Sequence, residues 1–304
     1  MRKAVVTLAL LLAVVIGCGT RNEKSGEGFY VVTTTGMIGD LVKNITKGKI
    51  VVESLMGPGV DPHLYKASQS DIARLSKADI IFYNGLHLEG KMTDIFEKMA
   101  RKKKVVAVSA ELEESQLISW QNQAGVHDPH IWFDVSLWRQ TIPVVEKAIS
   151  QLDPGNSSFY NENARIYATR LDSLHAWVLG EIGTIPPQQR VMITAHDAFS
   201  YFGRVYHIEV HGLQGISTVS EYGVNDVTNL VNLITERGIK AVFIETSVPH
   251  RSIEAVVAAC NMKGFAVSIG GSLYSDAMGG PGSGADIYIG MVSANVKTVV
   301  NALK

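Results

Sequence analysis

The sequence predicts an α/β protein: two lobes of β/α units, each with a parallel sheet, joined by one long rigid helix. Three observations carry this. On each side of the middle of the chain, short β-branched runs alternate with stretches of helical period, and strands separated by helices pair in parallel. Between the two sets, Tyr160, Ala164, Tyr167, Leu171, Leu174 and Val178 recur at steps of four and three residues. Glu162, Arg165, Arg170 and Asp172 take the other faces, so residues 156–182 read as one amphipathic helix. At about 1.5 Å per residue it would be about 40 Å long, a rod rather than an ordinary domain helix. Finally, both flanks place potential metal ligands beside the ends of strands.

At 304 residues, with 46% hydrophobic and 19% charged residues, the chain can bury a sizeable core in two lobes. The balance of 28 Lys and Arg against 29 Asp and Glu gives a net charge of −1. That is no footprint for nucleic acid, and the run 101–104 reads as a solvated helix end. Met1-Arg2-Lys3 followed by an apolar run to Ile16 has the form of a signal peptide, and the run is too short for a permanent membrane span. Val15-Ile16-Gly17-Cys18 resembles the bacterial lipobox, in which the cysteine is lipidated. Cys18 is therefore the expected anchor, with residues 1–17 removed and 18–28 a flexible tether. Cys260, the other cysteine, lies in an apolar helical stretch and reads as a buried, inert thiol, so no disulfide is expected.

The first lobe is expected over 29–153. Residues 29–35 and 50–56 read as strands flanking a helix over 36–46 with Met37, Ile38, Leu41, Val42 and Ile45 on one face. The second strand runs into Gly57-Pro58-Gly59-Val60-Asp61-Pro62-His63, a turn-rich loop that delivers His63 past the strand end. Ser68 with Asp71 three residues on forms a capping-box pattern for a helix to Lys77. Strands at 78–83 and 105–108 flank a helix over 89–101. His127-Asp128-Pro129-His130 follows; Pro129 disfavours helix at Asp128, so the two histidines do not share a helical face. The ligand role goes to His130, with His127 at the rim or supporting a ligand from behind. Asp134 is placed to cap a helix over 135–152, with Pro143 as a possible kink.

The linking helix is expected over 154–183, started after Asp153-Pro154-Gly155 with Asn156 or Ser157 as cap and stopped before Pro186-Pro187. The second lobe then fills 184–304. Residues 189–194, 210–214, 241–244 and 266–269 read as strands, and 198–206, 225–237, a stretch after Pro249 and 287–303 as helices. His196 and Glu245 fall just past two strand ends, where open α/β sheets collect ligands. Residues 270–282 form a glycine-rich loop with one carboxylate, Asp276. It lacks the Lys-Ser/Thr ending and the strand-to-helix arrangement of a phosphate cradle, while its glycines permit close folding over an ion.

Three imidazoles and one carboxylate, two from each side of the rod, make a four-coordinate N/O set suited to a divalent first-row metal. The surrounding motifs, Gly59-Val60-Asp61-Pro62-His63-Leu64-Tyr65, residues 127–134, Ala195-His196-Asp197-Ala198-Phe199, and Leu273-Tyr274-Ser275-Asp276-Ala277, occur in order. Together they resemble the TroA/ZnuA-type metal-binding lipoproteins that serve ABC transporters, over essentially the whole mature chain. The resemblance implies a metal held between the lobes by His63, His130, His196 and Asp276. His196 at the third position looks like the zinc-binding and TroA-like members, where manganese binders carry Glu. The long His/Asp-rich insertion of ZnuA proteins is missing after His63, which favours the TroA-like subgroup and leaves both zinc and manganese open.

Ligand chemistry puts Zn2+ first, with Mn2+ the alternative that a bidentate Asp276 would help. Affinity should fall as pH drops through the ordinary histidine range, about 6.5. Glu245 is a candidate to orient a ligand imidazole. His87, His175, His207, His211 and His250 read as non-ligands. The function expected is capture of a divalent metal outside the cytoplasmic membrane by a lipid-anchored, monomeric, non-enzymatic protein that passes it to a permease driven by an ATPase. The rival readings are a zinc-dependent hydrolase with Glu245 or Asp197 as general base, opposed by the four-ligand set and the lack of His-Glu-x-x-His, and a surface adhesin.

Overall fold

The computed structural model describes residues 28–120 and 125–304. The expected signal peptide, Cys18 and nearly all of the tether lie outside these residues. In the first lobe, β1 (Tyr30–Thr33), α1 (Gly36–Thr46), β2 (Val51–Ser54), α2 (Gln69–Lys77), β3 (Ile80–Tyr83), α3 (Thr93–Ala100) and β4 (Lys104–Ala107) build a four-stranded parallel sheet. Its order is β2-β1-β3-β4, so β1 and β3 are the inner strands and the connection from β2 to β3 passes over β1. Val31, Val32, Ile80 and Ile81 are buried on both faces, as a sheet covered by helices on each side requires. The capping box at α2 forms as its sequence indicates: Asp71 N–H donates to Ser68 Oγ at 3.2 Å, and Asp71 Oδ2 accepts Ser68 N–H at 2.7 Å.

One expected helix is two. Asp134 caps α4 (Val135–Arg139), accepting from the N–H groups of Ser136 and Leu137 at 3.0 Å each. The chain then breaks at Gln140 and Thr141 before α5 (Ile142–Leu152). Pro143 lies in the first turn of α5, where its missing N–H is harmless, and so it begins a helix instead of kinking one.

The rod is α6 (Ser157–Gly183), 27 residues long. Its buried residues are the six apolar positions of the periodic stripe plus Ile182. They pack on α1, α4 and α5 from the first lobe, and on α7 (Ser200–Tyr206) and α10 (Tyr288–Leu303) from the second. One continuous core therefore runs from Val31 through the rod to Tyr288 and Val299. Removing a side chain such as Leu171, fully buried on the rod, would cost about 2–5 kcal/mol. The expected side-chain caps do not form. Asn156 Nδ2 instead donates to Asp153 Oδ2 at 2.8 Å, and Ser157 Oγ to the Pro154 carbonyl at 3.0 Å, because a single tight turn over Pro154–Asn156 leads directly into the helix.

The second lobe contains two parallel pairs, β5 (Val191–His196) with β6 (Glu209–Gln214), and β7 (Ala241–Glu245) with β8 (Ser268–Leu273), and β5 lies alongside β7. The helices α8 (Val224–Arg237) and α9 (Arg251–Met262) cover its outer face around a separate core that includes Ile193, Val242, Ile253 and the buried Cys260. Here β8 continues where a loop was expected. Gly270 and Gly271 are strand residues because the helix behind them leaves no room for a Cβ: at Gly270 it would stand 2.6 Å from Ala302 Cβ, and at Gly271 2.5 Å from Thr298 Cγ2. Among the described residues no helix is long and apolar enough to cross a membrane.

Candidate metal centre

His63, His130, His196 and Asp276 meet in the cleft, each offering a ligand atom within 4.8 Å of all the others. All four are buried, His63 being the most exposed at 4%. They reach this point from four different loops or strand ends. His63 follows β2, and His130 lies in the loop before α4. His196 is the last residue of β5, not a loop residue beyond it, and Asp276 follows β8.

Both candidate ligands of the first lobe sit in the same local structure. In Asp61-Pro62-His63 and in Asp128-Pro129-His130 the aspartate carboxylate accepts the backbone N–H of the histidine two residues on, at 2.8 and 2.9 Å. Aspartate makes such a turn locally, and proline fixes the backbone between donor and acceptor. The repeats then diverge. Asp128 Oδ1 also lies 2.7 Å from Nδ1 of its own histidine ring, whereas Asp61 turns its other oxygen to the Thr218 hydroxyl of the opposite lobe at 2.6 Å.

In the second lobe, Glu245 ends β7 beside His196. Its Oε1 accepts the His196 backbone N–H at 2.9 Å, and its Oε2 stands 2.6 Å from Nδ1, a close ionic contact whose angle is too bent for an aligned hydrogen bond. Glu245, the candidate to orient a ligand imidazole, thus lies against His196. Ser247 Oγ reaches Asp276 Oδ2 at 3.3 Å. His127 is outside the cluster, mostly buried, with Nε2 3.6 Å from Glu114. Asp128 was not singled out from the sequence. The signal that could have found it is the recurrence of Asp-Pro-His.

The donor set fits a small dication. His63 Nε2 and His130 Nε2 are 3.2 Å apart, and Asp276 places Oδ1 3.4 Å from His130 Nε2 and Oδ2 3.4 Å from His196 Nε2. A tetrahedron with metal–ligand bonds of about 2.0–2.1 Å has edges of about 3.3–3.4 Å. His196 Nε2 and Asp276 Oδ1 are buried without a hydrogen-bond partner, an arrangement that costs free energy unless a cation or proton supplies the missing interaction. Since one carboxylate straddles two imidazoles, both of its oxygens face the centre.

Electrostatics separate the three histidines. Burial draws His63 down to about 3, with the neighbouring imidazoles adding to the effect against Asp276. Burial opposes charge on His130 too, but Asp128 and Asp276 prevail and push it up to about 9. Burial is likewise overcome at His196, where Glu245 and Asp276 hold the imidazole well above its ordinary range. Asp276, despite burial, is held well below the usual carboxylate range by His196 and His130. Without a metal, then, the positive charge that Asp276 requires resides on protonated imidazoles, and a metal must displace those protons.

Residues 31–302 match the model of a family described as the periplasmic component A of the zinc-uptake complex. The chain is 44% identical to the zinc-binding protein TroA of Treponema pallidum over 299 residues, 98% of this chain and 96% of that one. It is 46% identical to the manganese-binding lipoprotein MntA of Bacillus subtilis over 290 residues, 95% and 94% of the two chains. The solved structure of the periplasmic zinc-binding protein TroA superposes with a TM-score of 0.89 at 45% identity, covering 91% of this chain and 99% of that chain. Relatives named for zinc and for manganese are about equally similar.

Proposed function

The chain belongs to the family of the periplasmic zinc-uptake component A, and from that premise we propose that it captures a divalent transition metal outside the cytoplasmic membrane and delivers it to an ABC transporter. The observation that carries this reading is the closure of His63, His130, His196 and Asp276 around one buried point, two donors from each lobe. The ion is cargo, and these four residues are its ligands. Zinc is the preferred cargo because three imidazoles with a carboxylate suit it and a generic N/O site favours it over manganese; manganese is the alternative, through bidentate Asp276.

Capture, and not catalysis, is supported by how the carboxylates are used. Hydrolytic zinc keeps a position open for water, with a base beside it. Here four protein donors surround the centre, and Glu245 is committed to His196 through both oxygens. Asp197, the other proposed base, accepts the Ser200 hydroxyl at 2.6 Å. The partners are a permease and its ATPase. Cys18 serves as the lipid anchor, the linking helix over 154–183 joins lobes over 29–153 and 184–304, and the protein works as a monomer.

The test is elemental analysis of protein purified without added metal, followed by competition between zinc and manganese. His63→Ala and Asp276→Ala should each weaken binding at least tenfold. Wild-type affinity in either variant removes that residue from the ligand set, and lack of metal binding by the unaltered protein overturns the reading.

A further inference from the structure

Trp132 stands two residues after His130, on the tight turn Ile131–Phe133, and is fully buried. Its ring meets the His130 imidazole edge to face, with centroids 5.2 Å apart and planes at 72°. The indole N–H crosses to the second lobe and donates to the backbone carbonyl of Ser275, the residue before Asp276, at 3.0 Å. The carbonyl of Trp132 accepts from the Tyr288 hydroxyl, in the first turn of α10, at 2.7 Å. One residue of the first lobe is therefore bonded twice to the second, immediately beside a ligand from each. Ser275 is fixed in turn, its hydroxyl 2.7 Å from Ser247 Oγ, and Ser247 reaches Asp276.

We propose that Trp132 is a positioning residue that sets the gap between His130 and Asp276, and through that gap the preference of the site for a tetrahedral ion. The inference rests on the capture reading. Trp132, Ser275 and Tyr288 are buried, so no water can replace a bond that stretches, and the frame resists changes in the 3.4 Å edge between His130 Nε2 and Asp276 Oδ1. An ion content with four donors near 2.0–2.1 Å fits this edge as it stands. One that prefers six oxygen-rich ligands must rearrange the frame. Loosening the crosspiece therefore costs zinc more than manganese.

The experiment compares Trp132→Phe, which removes the indole N–H, with Tyr288→Phe, which removes only the hydroxyl at the other end. Tyr160→Phe is the control: it deletes a hydroxyl that a buried residue donates to Asp153 at 2.6 Å, at the start of α6 and outside the crosspiece. Zinc and manganese affinities are measured by competition with a chelating indicator, and the fold by thermal melting of the metal-free protein. Trp132→Phe and Tyr288→Phe should each weaken zinc about tenfold and narrow the zinc-to-manganese preference by a similar factor, with Tyr160→Phe lowering the melting temperature alone. Should Trp132→Phe fail to fold, Tyr288→Phe, which leaves no large cavity, decides the matter. Wild-type affinities and selectivity in the folded variants overturn the proposal, as does an equal loss in Tyr160→Phe. An unaltered protein that binds neither metal overturns the capture reading itself.

Discussion

Asp128 Oδ1 holds His130 twice, accepting its backbone N–H at 2.9 Å and lying 2.7 Å from its ring Nδ1, with both side chains fully buried. A carboxylate on Nδ1 keeps the proton there and leaves the Nε2 lone pair directed at a metal. Asp128→Asn keeps the shape of the turn but removes the charge. Metal affinity should fall about 10- to 100-fold, measured by indicator competition, the range usual for partners that orient a ligating histidine. Unchanged affinity would show that Asp128 shapes the loop and nothing more.

The same carboxylates set a pH dependence in a higher window than the ordinary histidine range expected from the ligand types alone. His130 is pushed up to about 9 by Asp128 and Asp276 against the opposing effect of burial, and His196 is raised as well by Glu245 and Asp276. Because both folded-state values lie above the unfolded one, the protons stabilise the metal-free fold fully below pH about 6.5; the His130 contribution is lost as pH rises through about 9, and that of His196 is likewise lost above the ordinary histidine range. Metal affinity runs the other way, rising over the same window as the competing protons leave. His63, drawn down to about 3, is already neutral there and contributes no slope. Melting temperatures with and without zinc at pH 6.5, 8 and 9 should therefore diverge as pH rises; a gap that stays constant or narrows contradicts the assignment.

The reasons parts of this arrangement could be read from sequence are local. The stripe from Tyr160 to Val178 has one period and one buried face, so it specified the rod, and Ser68 with Asp71 specified a cap through contacts three residues apart. Asp-Pro-His makes its own turn at both His63 and His130, a local signal that the sequence carries twice. The roles of Trp132, Thr218 and Tyr288 were not legible, because each depends on an atom in the other lobe more than 140 residues away. Gly270 and Gly271 look like loop residues in sequence and are strand residues only because α10 packs against them.

Thr218 should govern how long the ion stays. Asp61 accepts the His63 backbone N–H through one oxygen and the Thr218 hydroxyl through the other, so the loop bearing His63 is clasped across the cleft. Unlike His130 and His196, His63 has no carboxylate in ion-pair contact with its ring among the described residues, which leaves it the most weakly oriented of the three. Thr218→Val, of similar shape but without the hydroxyl, should raise the zinc dissociation rate about five- to tenfold in stopped-flow chelation, and Thr218→Ser should restore it. Equal rates in valine and serine variants would exclude the clasp.

Gly271 shows how the Asp276 loop depends on packing behind the strand. Its φ of +149° lies where side chains are rarely accommodated, and an added Cβ would stand 2.5 Å from Thr298 Cγ2 on α10. Gly271→Ala must therefore strain the backbone and push β8 off the helix that supports it, at a cost of about 1–3 kcal/mol. Five residues later the chain supplies Asp276, so the displacement should also weaken metal binding, visible as a lower melting temperature together with a higher Kd. Gly280→Ala lies beyond Asp276 in the same glycine-rich segment, where a Cβ would meet nothing within 4 Å, and it should change neither quantity. If both substitutions behave alike, the loop is positioned by its own glycines and not by the contact between β8 and α10.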